Sequence, residues 1–109
     1  MIFIETHLFT KQLATHSSDE EYRELQNFLV DNPEAGDVIQ GTGGLRKFRW
    51  MAGGKGKRGG IRIIYYWQVI KNQIYLMTLY AKNETTDLSA KEKKLLKQMV
   101  DRWNDGNEK

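Results

Sequence analysis

Between residues 45 and 82 the chain is built largely of strand-forming residues joined by short connections. Residues 45–51, 61–70 and 74–82 are rich in β-branched and aromatic side chains, the types that suit a pleated sheet. Lys71-Asn72-Gln73 leaves room only for a hairpin, and 53–60 is a glycine-rich loop. A parallel pair would need a crossover of about a dozen residues or more, so these three strands form an antiparallel meander.

Helices flank the meander. Ser18 followed by Glu21 is a capping box, and the acids Asp19, Glu20 and Glu21 suit the positive end of a helix. Tyr22, Leu25, Phe28 and Leu29 then form an apolar stripe, and Asn32-Pro33 ends it, so the helix spans 19–31. An earlier helix is expected over 6–14, from Leu8, Phe9 and Leu13, after a short strand at 1–5. Val38-Ile39 reads as a short extended piece, and 40–44 as a turn. Ser89 and Glu92 make a second capping box before Leu95, Leu96, Met99, Val100 and Trp103, the best amphipathic helix in the chain. The order is that of an α+β domain spanning 1–109, with helices on one face of a mainly antiparallel sheet. That length buries one modest core without staples.

Charge is segregated along this frame. Residues 1–37 carry a net −6, residues 38–83 a net +9 with no acid, and residues 84–109 are balanced. Such an acid-free basic segment is the footprint of a polyanion partner. The chain has no cysteine, which excludes disulfides and thiolate metal sites and suits a reducing cytoplasm. No apolar run reaches the roughly 20 residues of a membrane span, and the N-terminus lacks a signal-peptide pattern. His7 and His16 stand apart from the basic segment, and no phosphate-loop motif with its hydroxyl residue is present, so neither a metal nor a cofactor is called for.

Alternation places Lys47 and Arg49 on one face of their strand, Arg62 and Tyr66 on one face of the next, and Thr78, Tyr80 and Lys82 on one face of the third. If the apolar faces lie under the helices, Lys47, Arg49, Arg62, Tyr80 and Lys82 converge on an open face. Lys55, Lys57 and Arg58 overhang it from the loop, and Arg46 adds to the basic surface. Arginine offers bidentate phosphate pairing and lysine a point charge, while Tyr66 and Tyr80 supply rings for unpaired bases, so the expected ligand is single-stranded RNA. Metal-free cleavage within RNA is open to such a cluster. The 2′-hydroxyl attacks the adjacent phosphorus, and the protein supplies positioning, a base, an acid and cations for the developing phosphorane charge.

The stretches GTGGLRKFRW, GKGKRGGIRIIYYW and IYLMTLYAKNETTDLSAKEK resemble the RelE superfamily, and within it the HigB-type branch of toxins from bacterial toxin–antitoxin pairs. The resemblance covers nearly the whole chain. It implies the RelE-like fold, with two N-terminal helices and a C-terminal helix on a mainly antiparallel sheet. It implies a ribosome-dependent mRNA interferase that cuts message in the ribosomal A site. It also implies a cognate antitoxin of the HigA type, a helix-turn-helix DNA-binding protein. By position, the family's basic pair falls on Lys47 and Arg49, its arginine at the start of the next strand on Arg62, and the basic residue ending the last strand on Lys82. Two other readings stay open: a ParE-like inhibitor of DNA gyrase on the same fold, and an RNA-binding module that only docks.

Overall fold

The computed structural model describes residues 1–50, 60–81 and 88–106. Strands β1 (Ile2–Glu5), β2 (Asp37–Val38), β3 (Leu45–Trp50), β4 (Ile61–Gln68) and β5 (Gln73–Ala81) form one sheet in the order β1-β5-β4-β3-β2. Helices α1 (His7–His16) and α2 (Asp19–Asp31) come between β1 and β2, and α3 (Ala90–Gly106) follows β5. The meander β3-β4-β5 and the β2–β3 pair are antiparallel, and β1 joins β5 in parallel.

Local chemistry sets these boundaries. Ser18 Oγ accepts from the Glu21 backbone N–H and Glu21 returns a carboxylate to the Ser18 N–H, so α2 begins at the expected capping box and ends at Asp31. The same reciprocal pair joins Ser89 and Glu92 at the start of α3. At α1 the cap is Thr6, whose hydroxyl accepts from Phe9 N–H and donates to the Met77 carbonyl on β5. The β4–β5 connection turns through Asn72 at φ 53°, a left-handed conformation that asparagine tolerates.

Both faces of the sheet are covered, which corrects the expectation of helices on one face alone. On one face, Phe9, Leu25 and Leu29 of α1 and α2 bury Trp50, Ile63, Tyr65, Leu76 and Leu79. Across the sheet, Val100 of α3, with Leu96, Met99 and Trp103 beside it, packs on Leu45, Ile64, Tyr75, Met77 and Tyr80. The physical reason is capacity. The α1–α2 layer already occupies the first face, and the apolar stripe of α3 meets aromatic and aliphatic side chains on the second. Trp103 stacks on Tyr75 with ring centroids 4.1 Å apart and planes 14° apart.

Strand parity also shifts within β5. Ile64 pairs with Thr78 while Tyr65 pairs with Leu76, leaving Met77 as an inserted bulge residue. Met77 therefore joins the α3-facing cluster rather than the face of Leu79, where plain alternation placed it.

β1 is five residues shorter than β5 and leaves the second half of that strand without a strand neighbour on one side. Helix α1 supplies the missing partner. The Gln12 side-chain carbonyl accepts from the Leu79 backbone N–H at 3.0 Å and from the Thr78 hydroxyl at 2.7 Å. A sheet edge that would otherwise offer free hydrogen-bonding groups is thereby closed.

Candidate nucleic-acid interface

The register of the meander aligns the expected basic residues. Arg49 on β3 stands directly across from Arg62 on β4, and Arg62 directly across from Tyr80 on β5. Lys47 lies one pleat along, opposite Ile64, on the same face. Side chains directly opposed across antiparallel strands start about 5 Å apart at Cβ, so two guanidinium groups and an ammonium share a surface no wider than a dinucleotide. Strands β3, β4 and β5 contain no carboxylate. Arg49 is exposed, while Lys47 and Arg62 are half-buried with stems against the sheet.

Two arginines in direct cross-strand register repel each other, and like charges so placed cost sheet stability. Sequences selected for folding alone avoid this arrangement; functional sites are where local rules are broken. Among the described residues Arg49 has no ion-pair partner.

Helix α3 covers only part of this face, and that changes the role of two tyrosines. Tyr80 is 6% exposed and packed with Leu88 and Val100, and Tyr66 stacks on Tyr75 while its hydroxyl accepts from Asn104 on α3. Tyr66 and Tyr80 were expected as open stacking platforms; instead α3 draws both into the packing beside the cluster. Arg46 takes a different role as well. It sits on the opposite face from Lys47, and its guanidinium donates to the carbonyls of Gly36 at 2.8 Å and Glu34 at 3.3 Å. It ties the α2–β2 loop to β3. Lys55, Lys57, Arg58 and Lys82 lie outside the described residues, as do residues 53–59 of the loop.

Two further features were not anticipated. A groove of about 510 Å³ runs between α1 and α3 beside Tyr80, walled by Leu8, Leu88, Leu95 and Met99. Its formation depends on which face α3 chooses, a long-range outcome with no local signal. The second is Tyr65, whose buried hydroxyl accepts from the Gly36 N–H at 2.9 Å and donates to the Pro33 carbonyl at 2.8 Å. Burial pushes that phenol above its ordinary value. Among the described residues no group of three or more histidines, cysteines or carboxylates could hold a metal ion. None of the described helices is long and apolar enough to cross a membrane.

Comparison with known proteins places the fold. Residues 30–109 match the family model for the RelE toxin of the RelE/RelB toxin–antitoxin system. The fold is similar to the isolated RelE toxin of E. coli, with a TM-score of 0.55 and 14% identity over 90% of this chain and 97% of that one. It is likewise similar to RelE within the intact E. coli RelBE toxin–antitoxin complex, with a TM-score of 0.54 and 15% identity over 72% of this chain and 92% of that one. A free E. coli RelE carrying two arginine-to-alanine substitutions gives a TM-score of 0.54 and 15% identity over 77% of this chain and 85% of that one.

Proposed function

This chain belongs to the family of RelE toxins of RelE/RelB toxin–antitoxin systems, and we propose that it is a ribosome-dependent, metal-independent endoribonuclease that cuts mRNA in the ribosomal A site and stops translation. Its nearest branch in this reading is the HigB type, and its neutralising partner is a HigA-type helix-turn-helix antitoxin. The observation that carries the proposal is the cross-strand register of Arg49 with Arg62, with Lys47 one pleat away, on strands without a carboxylate.

Catalysis follows from that arrangement. The 2′-oxygen of one nucleotide attacks the adjacent phosphorus in line with the departing 5′-oxygen. One P–O bond forms, one breaks, and a 2′,3′-cyclic phosphate and a 5′-hydroxyl result. Arg62 donates to the non-bridging oxygens, whose charge grows in the transition state. Lys47 positions the 2′-hydroxyl for attack and assists its activation. Arg49 and Lys82 bind the phosphate and assist the leaving oxygen. The ribosome contributes what a small basic face lacks, a message held in one extended path. Lys55, Lys57 and Arg58 grip ribosomal RNA or message through phosphate contacts.

The test is primer extension on one defined mRNA in a bacterial translation extract, with and without ribosomes. Wild type yields cuts in codon register only when ribosomes are present, and Arg62→Ala lowers the cutting rate about 10²–10³-fold. Growth arrest without any cut overturns the nuclease reading and points to a ParE-like gyrase inhibitor, tested by supercoiling. RNA binding without cutting points to a docking module.

A further inference from the structure

A second hollow lies on the other face of the sheet, at the C-terminal end of α2. It has a volume of about 490 Å³ and is walled by Phe28, Asp31, Pro33, Glu34 and Trp67. The features of this hollow point to an occupant. The end of α2 is the negative pole of the helix dipole, yet its last turn holds no base and does hold Asp31, with Glu34 close behind. Arg46 reaches this loop from β3, where its Nη1 donates to the carbonyls of Glu34 and Gly36. The indole N–H of Trp67 is buried and has no hydrogen-bond partner among the described residues, an arrangement that native structures seldom leave unexplained. Finally, Phe28 is 42% exposed although it stacks on Phe48 at a 5.2 Å centroid separation, so an aromatic edge faces solvent beside the carboxylates.

These features call for one kind of occupant. Two carboxylates at a helix C-terminus call for a cation. Flat aromatic surfaces beside them favour a guanidinium over an ammonium. An extended peptide carrying an arginine supplies the charge and the planar group together, whereas a nucleic-acid phosphate is repelled by Asp31 and Glu34. We infer that the hollow formed by Phe28, Asp31, Glu34 and Trp67 docks an arginine-bearing segment of a partner protein. It lies on the face opposite Arg49 and Arg62, so this docking leaves the basic cluster open and does not depend on the proposed nuclease activity.

The probe is the blocked peptide acetyl-Ala-Arg-Ala-Arg-Ala-amide, titrated into the full ¹⁵N-labelled chain, with the citrulline analogue as an uncharged match. The Trp67 indole resonance, assigned through Trp67→Phe, is expected to shift together with the amides of residues 28–35. The double variant Asp31→Asn/Glu34→Gln changes two exposed side chains; it is expected to keep the dispersed spectrum and to weaken binding about tenfold or more, as is citrulline. Arg62→Ala binds the peptide as wild type does, which separates this result from the fate of the nuclease reading. Equal shifts with citrulline, or shifts that leave Trp67 unmoved, overturn the inference. Concentration-dependent self-association without peptide binding, read by light scattering, overturns it in favour of a second copy of the chain.

Discussion

Replacing Tyr65 by phenylalanine removes a single oxygen atom and leaves the ring in place. That oxygen joins β4 to the loop between α2 and β2, accepting from Gly36 N–H and donating to Pro33 C=O. Gly36 is buried, so its N–H finds no water when the phenol is gone. A buried donor left unpaired costs about 1–3 kcal/mol, and the bond to Pro33, whose carbonyl water can partly recover, contributes about 0.5–1.5 kcal/mol. The total expected for Tyr65→Phe is about 2–3 kcal/mol. For a domain of this length that lowers the midpoint of thermal unfolding by about 10 °C. Urea unfolding followed by circular dichroism measures it directly, with the slope against urea unchanged. A loss below about 0.5 kcal/mol would refute the reasoning, because it would mean that the Gly36 N–H is never deprived of a partner. Gly36→Ala examines the same joint sterically. An added Cβ there would lie 2.9 Å from the Lys47 carbonyl oxygen and 3.0 Å from the Tyr65 ring, and the carbonyl is sheet backbone with little freedom to yield.

Arg49→Ala should separate function from stability. Cleavage falls, while urea denaturation shows stability unchanged or raised by about 0.2–1 kcal/mol, because the cross-strand repulsion with Arg62 is relieved. Gln12→Leu strips the acceptor from Leu79 N–H and should cost about 1–3 kcal/mol; Gln12→Glu keeps an acceptor and should cost less, with amide exchange at Leu79 as the local readout. The Tyr22 phenol is pushed far above its ordinary value of 10.0 by burial first and by its bond to the Glu5 carboxylate second. Its protonated form is the one the fold favours. Its contribution is therefore complete below about pH 10 and declines as pH rises further, and Tyr22→Phe should flatten the alkaline limb of a stability–pH profile.

Most of the secondary structure was legible in the sequence because its signals are local. The two capping boxes, the proline after α2 and the β-rich runs are read within a few residues, and α2 begins and ends where those signals place it. The alternation of Ile61, Ile63, Tyr65 and Trp67 against Arg62 likewise survives intact in β4. What could not be read depends on distant partners. The face taken by α3, the bulge at Met77 and the parallel docking of β1 on β5 all follow from packing between segments far apart in the chain. The candidate site divides along the same line. Alignment of Lys47, Arg49 and Arg62 follows from strand parity, which is local. The packing of Tyr66 and Tyr80 beside α3 follows from where that helix docks, which is not. Arg46 looked like one more cation of a basic run, and only the fold of the loop after α2 shows which carbonyls it holds.

The parallel pairing of β1 with β5 also has a bearing on when this protein becomes whole during synthesis. Ile2 aligns with Gln73 and Glu5 with Leu76, so β1 waits for a neighbour that is synthesised much later. Closing so long a loop carries an entropic cost that local contacts do not, and such pairings form late. The sheet edge sealed by Thr6 and Gln12 waits on the same event, because both side chains bond to residues 77–79. A nascent chain stopped before β5 has Arg49 and Arg62 already made but no completed sheet to hold them in register. The sheet that carries the basic residues is therefore completed only once β5 has been made.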